Sequence, residues 1–401
     1  MTEGRTPSLL RARAGSQRVT NVELFFDLVY VFAVTQLSHH LLSRPTVDGA
    51  LQTGLLLAMV WLVWSYTTWV TNWLDPDRIP VRLMLVGLML ISLVMSAAIP
   101  QAFGARGLWI GASYAASQVG RSAFAVWALR GEDLQRNFER IFVWCLASGA
   151  LAVAGGFSHG YVRGALWLLA VGVDLLGGAA GFYVPGLGRS RTSEWTIEGN
   201  HFAERCQSFV LIALGESIVV IGATLSNLAD VTNAQVGAFF IAFVGAVALW
   251  WIYFDRSASE SALVIGRSAD PGRLGRSAYH FIHPIMIAGI IVIAAGDDRV
   301  LTDPLAGAST ATAWMVLGGA GLFLAGHAAF KAVVWRVVSW PRLGGIAVLG
   351  LLGLLAPHAS ALALGSCAAA VVIGVAVADR LLPVGEPGSE RTGHPERTSR
   401  A

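Results

Sequence analysis

The sequence predicts an all-α polytopic integral membrane protein. Charged residues make up only 13% of the 401, and 55% are hydrophobic. Apolar runs of about 20 residues, the length that crosses a bilayer core, recur along the chain. The basic residues gather in alternate connections between these runs. A soluble chain carries roughly 25% charge, so the mean hydropathy of +0.61 points the same way.

Twelve spans are expected, near 21–42, 50–74, 82–103, 108–129, 140–157, 163–184, 201–226, 234–255, 278–296, 310–330, 343–356 and 359–379. The eleventh is short and glycine-rich. These spans imply a cytoplasmic N-terminal segment (1–20), a six-helix half (21–184), a cytoplasmic linker (185–200), a second six-helix half (201–380) and a disordered tail (381–401). Residues 1–20 are arginine-rich, but the first apolar run carries Glu23 and Asp27 and lacks a small-residue cleavage site. It therefore reads as a retained helix and not as a signal peptide.

Basic residues held on the cytoplasmic side set orientation. With the N-terminus inside, 22 of the 28 basic residues fall in inner segments and four in outer loops, leaving Arg121 and Arg205 within spans. Both termini are thus expected in the cytoplasm, the lipid bilayer being the first partner. The arginines sit in short connectors, so nucleic-acid binding is excluded. Trp69 and Trp73 at the inner end of span two, and Trp250, Trp251 and Tyr253 at that of span eight, suit headgroup anchoring.

These two ends, WSYTTWVTNWLD and WWIYFD, also suggest an internal repeat. Asp27-Leu-Val-Tyr-Val-Phe-Ala-Val-Thr35 aligns with Glu216-Ser-Ile-Val-Val-Ile-Gly-Ala-Thr224 at an offset of 189. Two such halves of six spans would run in the same direction, as parallel repeats do. Chance alignment of apolar helices is the competing explanation.

Ionisable groups inside a bilayer are costly and usually face protein. Thr20 and Glu23 fit a capping box. Asp27 lies about 10 Å deeper than Thr20, on the same helix face as Glu23, and no cap explains it. In span seven, His201, Glu204 and Arg205 lie near the inner end, where an interfacial Glu204–Arg205 pair is one reading. Glu216 stands about 18 Å beyond Glu204. Arg121 in span four and Asp174 in span six are also deep. Asp27 and Glu216 are the acids expected to pair, with Arg121 or Asp174 nearby.

ELFFDLVYVFAVTQLSHHLL (23–42) followed by HFAERCQSFVLIALGESIV (201–219) resembles the bacterial low temperature requirement protein A family, over roughly residues 18–380. The likeness rests on Glu23-Leu-Phe-Phe-Asp27, on Glu204-Arg205 and on Leu214-Gly215-Glu216-Ser217. The resemblance implies a multi-span protein of the bacterial inner membrane, linked by name to growth in the cold, with no settled activity, cofactor or substrate.

His280 and His283, three apart, and His327 are expected at the inner level, where they could join Glu23 and Glu204. Without HExxH or cysteine support they indicate hydrogen-bonded or proton-relaying histidines, and no metal or cofactor. His39 and His40 should face outer headgroups. Cys145, Cys206 and Cys367 lie in separate spans and read as small apolar residues. Gly107/Gly111 and Gly177/Gly181 have the spacing that lets helices approach closely.

Two functions fit. A secondary transporter or permease, with or without proton coupling, would move an unknown small solute or ion using Glu23, Asp27, Arg121, Asp174, Glu204, Arg205, Glu216, His280, His283 and His327. A membrane-embedded enzyme or lipid-handling protein would instead gather Glu23, Asp27, Glu204, His280, His283 and His327 into one inner cluster. Neither excludes a homo-oligomer.

Overall fold

The computed structural model describes residues 8–11, 19–190, 199–255 and 257–381. The rest of the N-terminal segment, residues 191–198 of the linker and the tail from 382 lie outside the described residues. So do Arg5, Arg13, Arg18, Arg191, Arg256, Arg391, Arg397 and Arg400 of the orientation argument.

The helices are α1 (Asn21–Ser43), α2 (Val47–Trp73), α3 (Ile79–Ala98), α4 (Gly107–Ala128), α5 (Gln135–Phe157), α6 (Gly160–Ala180), α7 (Gly199–Asn227) and α8 (Asn233–Phe254). After the short α9 (Ser257–Gly266) come α10 (Pro271–Thr302), α11 (Thr310–Trp335), α12 (Trp340–His358) and α13 (Ala361–Leu381). Eleven of these are long and apolar enough to cross a membrane. Helix α4 is long enough but falls short in hydropathy. Its sequence GLWIGASYAASQVGRSAFAVWA spends its positions on small residues and on Gln118 and Arg121, which are buried. Its polar face is turned inward, which average hydropathy under-reads.

The helices of this membrane protein pack in two similar rounds. In the first, α1 packs on α2 and α3, α3 on α4, α4 on α5, α5 on α6, and α6 returns to α2. In the second, α7 packs on α8 and α10, α10 on α11, α11 on α12, α12 on α13, and α13 returns to α8. The same order of neighbours recurs, with α9 as an insertion that has no counterpart in the first round. Helices α1 and α7 meet at the seam between the halves. They run parallel: Glu23 meets His201 and Arg205 near both starts, and Thr35 meets Glu216 further along.

Glycines set the closest approaches. A Cβ at Gly111 would sit 2.2 Å from the backbone oxygen of Ala152, so α4 and α5 touch through bare backbone. Gly181 serves a different purpose from its expected spacing role. At φ +65° it ends α6 in the left-handed conformation that glycine adopts at least cost. Large apolar side chains such as Phe25, Leu28, Leu83, Leu90, Leu168 and Phe240 remain exposed on the outside of the bundle, the surface a bilayer would cover.

Candidate functional site: the seam and the cavity beside it

The end of the bundle where α1 begins carries a dense ionic network. Glu23 reaches back to Thr20, accepting from its backbone N–H and its hydroxyl at 2.9 Å each through one oxygen, which is the capping half of its role. Its other oxygen accepts from Arg205 Nη1 at 3.2 Å and lies 2.8 Å from His201 Nε2. One turn deeper, Asp27 accepts from Arg205 Nη2 at 2.6 Å and Nε at 3.0 Å, and from the Trp64 indole at 2.7 Å. Arg205 therefore bridges two acids of one helix, its guanidinium lying near the rings of Phe26 and Trp64. Arg11 closes the group, 3.4 Å from Glu23 and 2.8 Å from His201 Nε2. The segment 8–11 is docked, with Arg11 N–H donating to Trp73 O across the end of α2.

Two acids and two arginines sum to zero charge, and Glu23 and Arg205 are fully buried while Asp27 is 2% exposed. Such a network stays buried because every charge has a partner. Glu204 does not join it as a pair with Arg205. Adjacent helical residues point apart, and Glu204 instead accepts from the backbone N–H of Val19 at 3.3 Å.

Asp27 and Glu216 are not brought together. Glu216 meets Thr35, whose hydroxyl donates to it at 2.5 Å. Thr35 stands eight residues past Asp27, about 12 Å of helix rise. The bonds across the seam join residues 178 to 182 apart: Glu23 to His201 and Arg205, Asp27 to Arg205, and Thr35 to Glu216. The second oxygen of Glu216 has no hydrogen-bond partner.

A separate network lies inside the first half. Asp174 of α6 accepts from the Tyr114 hydroxyl, and from Gln118 Nε2 at 2.6 Å. Gln118 in turn accepts from Arg121 Nη2 at 2.5 Å, so Arg121 reaches Asp174 only through an amide. Arg121 also donates to Val63 O at 3.3 Å and lies over the Tyr66 ring at 5.1 Å. Tyr66 donates its hydroxyl to the backbone oxygen of Asp174 at 2.9 Å.

This network backs onto a cavity at the junction of the halves. The wall is Tyr66, Trp69, Val70 and Trp73 of α2, Arg121 and Ser122 of α4, Phe138 and Ile141 of α5, and Gly178 and Phe182 around the end of α6. The second half contributes Gly272, Arg276 and His280 of α10. Its open space of about 60 Å³ is several times what one water requires. Trp69 and Trp73 stack on each other, with centroids 5.9 Å apart, and wall this cavity, so they are not headgroup anchors.

Helix α10 is locally a π-helix over Arg276–Ile282. Such turns free backbone groups and recur at functional sites. Here the Trp61 indole donates to His280 O at 2.9 Å, and Ser65 Oγ lies 2.7 Å from His280 Nδ1. Helix α2 thus fixes the ring that faces the cavity.

The remaining histidines go elsewhere. His283 Nε2 lies 3.0 Å from the Tyr253 hydroxyl. His327 Nδ1 accepts from Arg342 Nε at 2.7 Å, and Arg342 holds Asp379 with two bonds of 2.8 and 2.6 Å, tying α11, α12 and α13 together. The expected inner cluster of carboxylates and histidines is therefore divided among three places. Among the described residues no group of three or more His, Cys, Asp or Glu could hold a metal ion. His40 is buried against Thr53 at 3.0 Å and does not face headgroups; its neighbour His39 is exposed. Cys145 and Cys206 are buried as expected of small apolar residues, whereas Cys367 is exposed.

Arg276 escaped the sequence reading because it counts there as one more inner arginine. Its spacing of four from His280, on the helix face that carries that histidine, is the signal that could have found it.

A multi-span membrane protein with an ion-paired central seam is the class these features define. The chain belongs to the bacterial low temperature requirement A protein (LtrA) family, whose model matches residues 18–377. It is 36% identical over 380 residues to the uncharacterized protein RA0937 of Rhizobium meliloti (strain 1021), covering 94% of this chain and 92% of that one. No solved structure matches it.

Proposed function

We propose that the protein is a secondary transporter of the bacterial inner membrane, with both termini cytoplasmic and its two halves moving against each other. The observation that carries this reading is the cavity, because it lies where the first half meets α10 of the second and holds two guanidinium groups among aromatic walls. Binding sites at the repeat interface are the rule in transporters built from parallel repeats. Two buried carboxylates could carry a coupling proton, since neither forms a direct ion pair among the described residues. Asp174 is engaged by Tyr114 and Gln118, and Glu216 by Thr35. Intramembrane acids of this sort are the groups that proton-coupled carriers use. The ionic seam of Glu23, Asp27 and Arg205 is a structural fastening in this scheme.

The test is reconstitution into proteoliposomes loaded with the pH indicator pyranine, challenged with a panel of organic anions, amines and neutral solutes. One class of solute should drive proton movement in the wild type, and Asp174→Asn should abolish the proton signal. Absence of solute-dependent flux for every class, from protein that is folded and inserted, would defeat the proposal.

A further inference from the structure

We infer that the cavity binds a small organic anion: a carboxylate carried on an aromatic or branched apolar body. The inference deepens the transport reading, and rests on it for the translocation of the bound anion.

The first ground is charge. Arg121 and Arg276 both line the cavity, and among the described residues no carboxylate does. Asp174 lies behind the wall, already accepting from Tyr114 and Gln118. Asp270 caps the start of α10 by accepting from the Arg273 N–H at 2.9 Å. Arg121 is buried and Arg276 half-buried; Asp174 and Asp270 act on them from beyond the cavity wall, and a bound anion would place a negative group inside it, in direct contact with both.

The second ground is geometry. The Nε atoms of both arginines are buried and have no hydrogen-bond partner. Arg276 spends Nη1 on Gly178 O at 2.5 Å, and Arg121 spends Nη2 on Gln118. A carboxylate taken side-on uses Nε together with a terminal nitrogen, the bidentate arrangement guanidinium favours. Arg121 also spends Nη1 on Val63 O and Thr67 Oγ1, so it offers Nε alone, whereas Arg276 keeps Nε and one terminal nitrogen for such a ligand.

The third ground is the remaining wall. Tyr66, Trp69, Trp73 and Phe182 offer ring faces and edges. These add nothing to the binding of a small hydrated ion such as phosphate. They do stabilise an apolar body, by burial and by ring contacts. Gly178 leaves room for it, since a Cβ there would meet nothing within 4 Å.

The experiment uses the purified full chain in detergent, titrated with phenylacetate, phenethylamine, phenylethanol or inorganic phosphate. Binding is read by calorimetry and by tryptophan fluorescence. Phenylacetate should bind saturably, and the amine, the alcohol and phosphate about tenfold more weakly or worse, because each lacks either the charge or the apolar body. Arg276→Gln should weaken phenylacetate by about tenfold or more, and Arg276→Lys by less, because it keeps the charge and loses the fork. Gly178→Leu should block binding without lowering thermal stability.

Equal binding of the amine, or unchanged affinity in both Arg276→Gln and Gly178→Leu, would overturn the inference. So would saturation by phosphatidylglycerol in nanodiscs without any binding of phenylacetate, since the anion would then be a lipid headgroup. Phenylacetate binding without flux in proteoliposomes upholds this inference and removes the transport reading. Flux of amines without phenylacetate binding does the reverse.

Discussion

Replacing Asp27 with Asn changes charge while preserving shape, which isolates the electrostatics of the seam. Asparagine keeps one acceptor oxygen, so one of the two bonds accepted from Arg205, at 2.6 and 3.0 Å, is lost and an amide N–H faces the guanidinium in its place. The substitution leaves two arginines facing one carboxylate in a site where Asp27 is 2% exposed and Arg205 not at all. Removing one member of a buried pair costs about 3–5 kcal/mol, chiefly from the charge left behind. Arg205→Gln should cost a similar amount for the opposite reason, since Glu23 and Asp27 then face Arg11 alone. The double variant returns the site to neutrality, with Glu23 opposite Arg11 at 3.4 Å. It should therefore lose less than the sum of the two singles, by about 2 kcal/mol or more, a coupling of the size seen between residues in contact. Unfolding by sodium dodecyl sulfate in mixed micelles, followed by helicity, measures all three. Single losses under about 1 kcal/mol, or a double loss equal to the sum, would refute the account of the seam as a mutually neutralised cluster.

Gly111→Leu should separate α4 from α5 and destabilise the protein by about 1–3 kcal/mol or more, because its Cβ would start 2.2 Å from Ala152 O; the same denaturation measurement checks it. Arg342→Met should loosen α12 and α13 from α11, read as faster proteolysis near 336–342, while Asp379→Asn should do so less because Asp379 is 22% exposed. Reporter fusions after Ala401 and within 227–233 should report opposite sides of the membrane, and matching sides would overturn the orientation drawn from the arginines.

The spans were legible because bilayer thickness imposes a length and composition that survive any detail of packing. Glu23 and Asp27 were also legible as a pair, since a helix fixes which residues share a face. Their partner was not. Arg205 reads from sequence as the neighbour of Glu204, yet only its helix phase decides that it points into the seam. Register along α7 was equally hidden, because runs such as Val-Ile-Gly-Ala and Leu-Ile-Ala-Leu match one another at several offsets. The cavity residues were obscured by ambiguity of type. Trp69, Trp73 and Arg276 are what a headgroup belt contains, and only the π turn and the return of α6 to α2 turn them inward.

Two polar contacts along α1 and α7, a turn and more apart, are fastened unequally. At Asp27 the join is a pair of hydrogen bonds to a clasped guanidinium; at Thr35 it is one hydroxyl. A joint of that kind pivots more readily than it slides. The clasp acts as a fulcrum, and displacement grows with leverage: a tilt of about 10° opens a gap of about 2 Å at Thr35, about 12 Å away. A tilt of that size would break the single hydroxyl bond at Thr35–Glu216 while leaving the clasp at Asp27 intact.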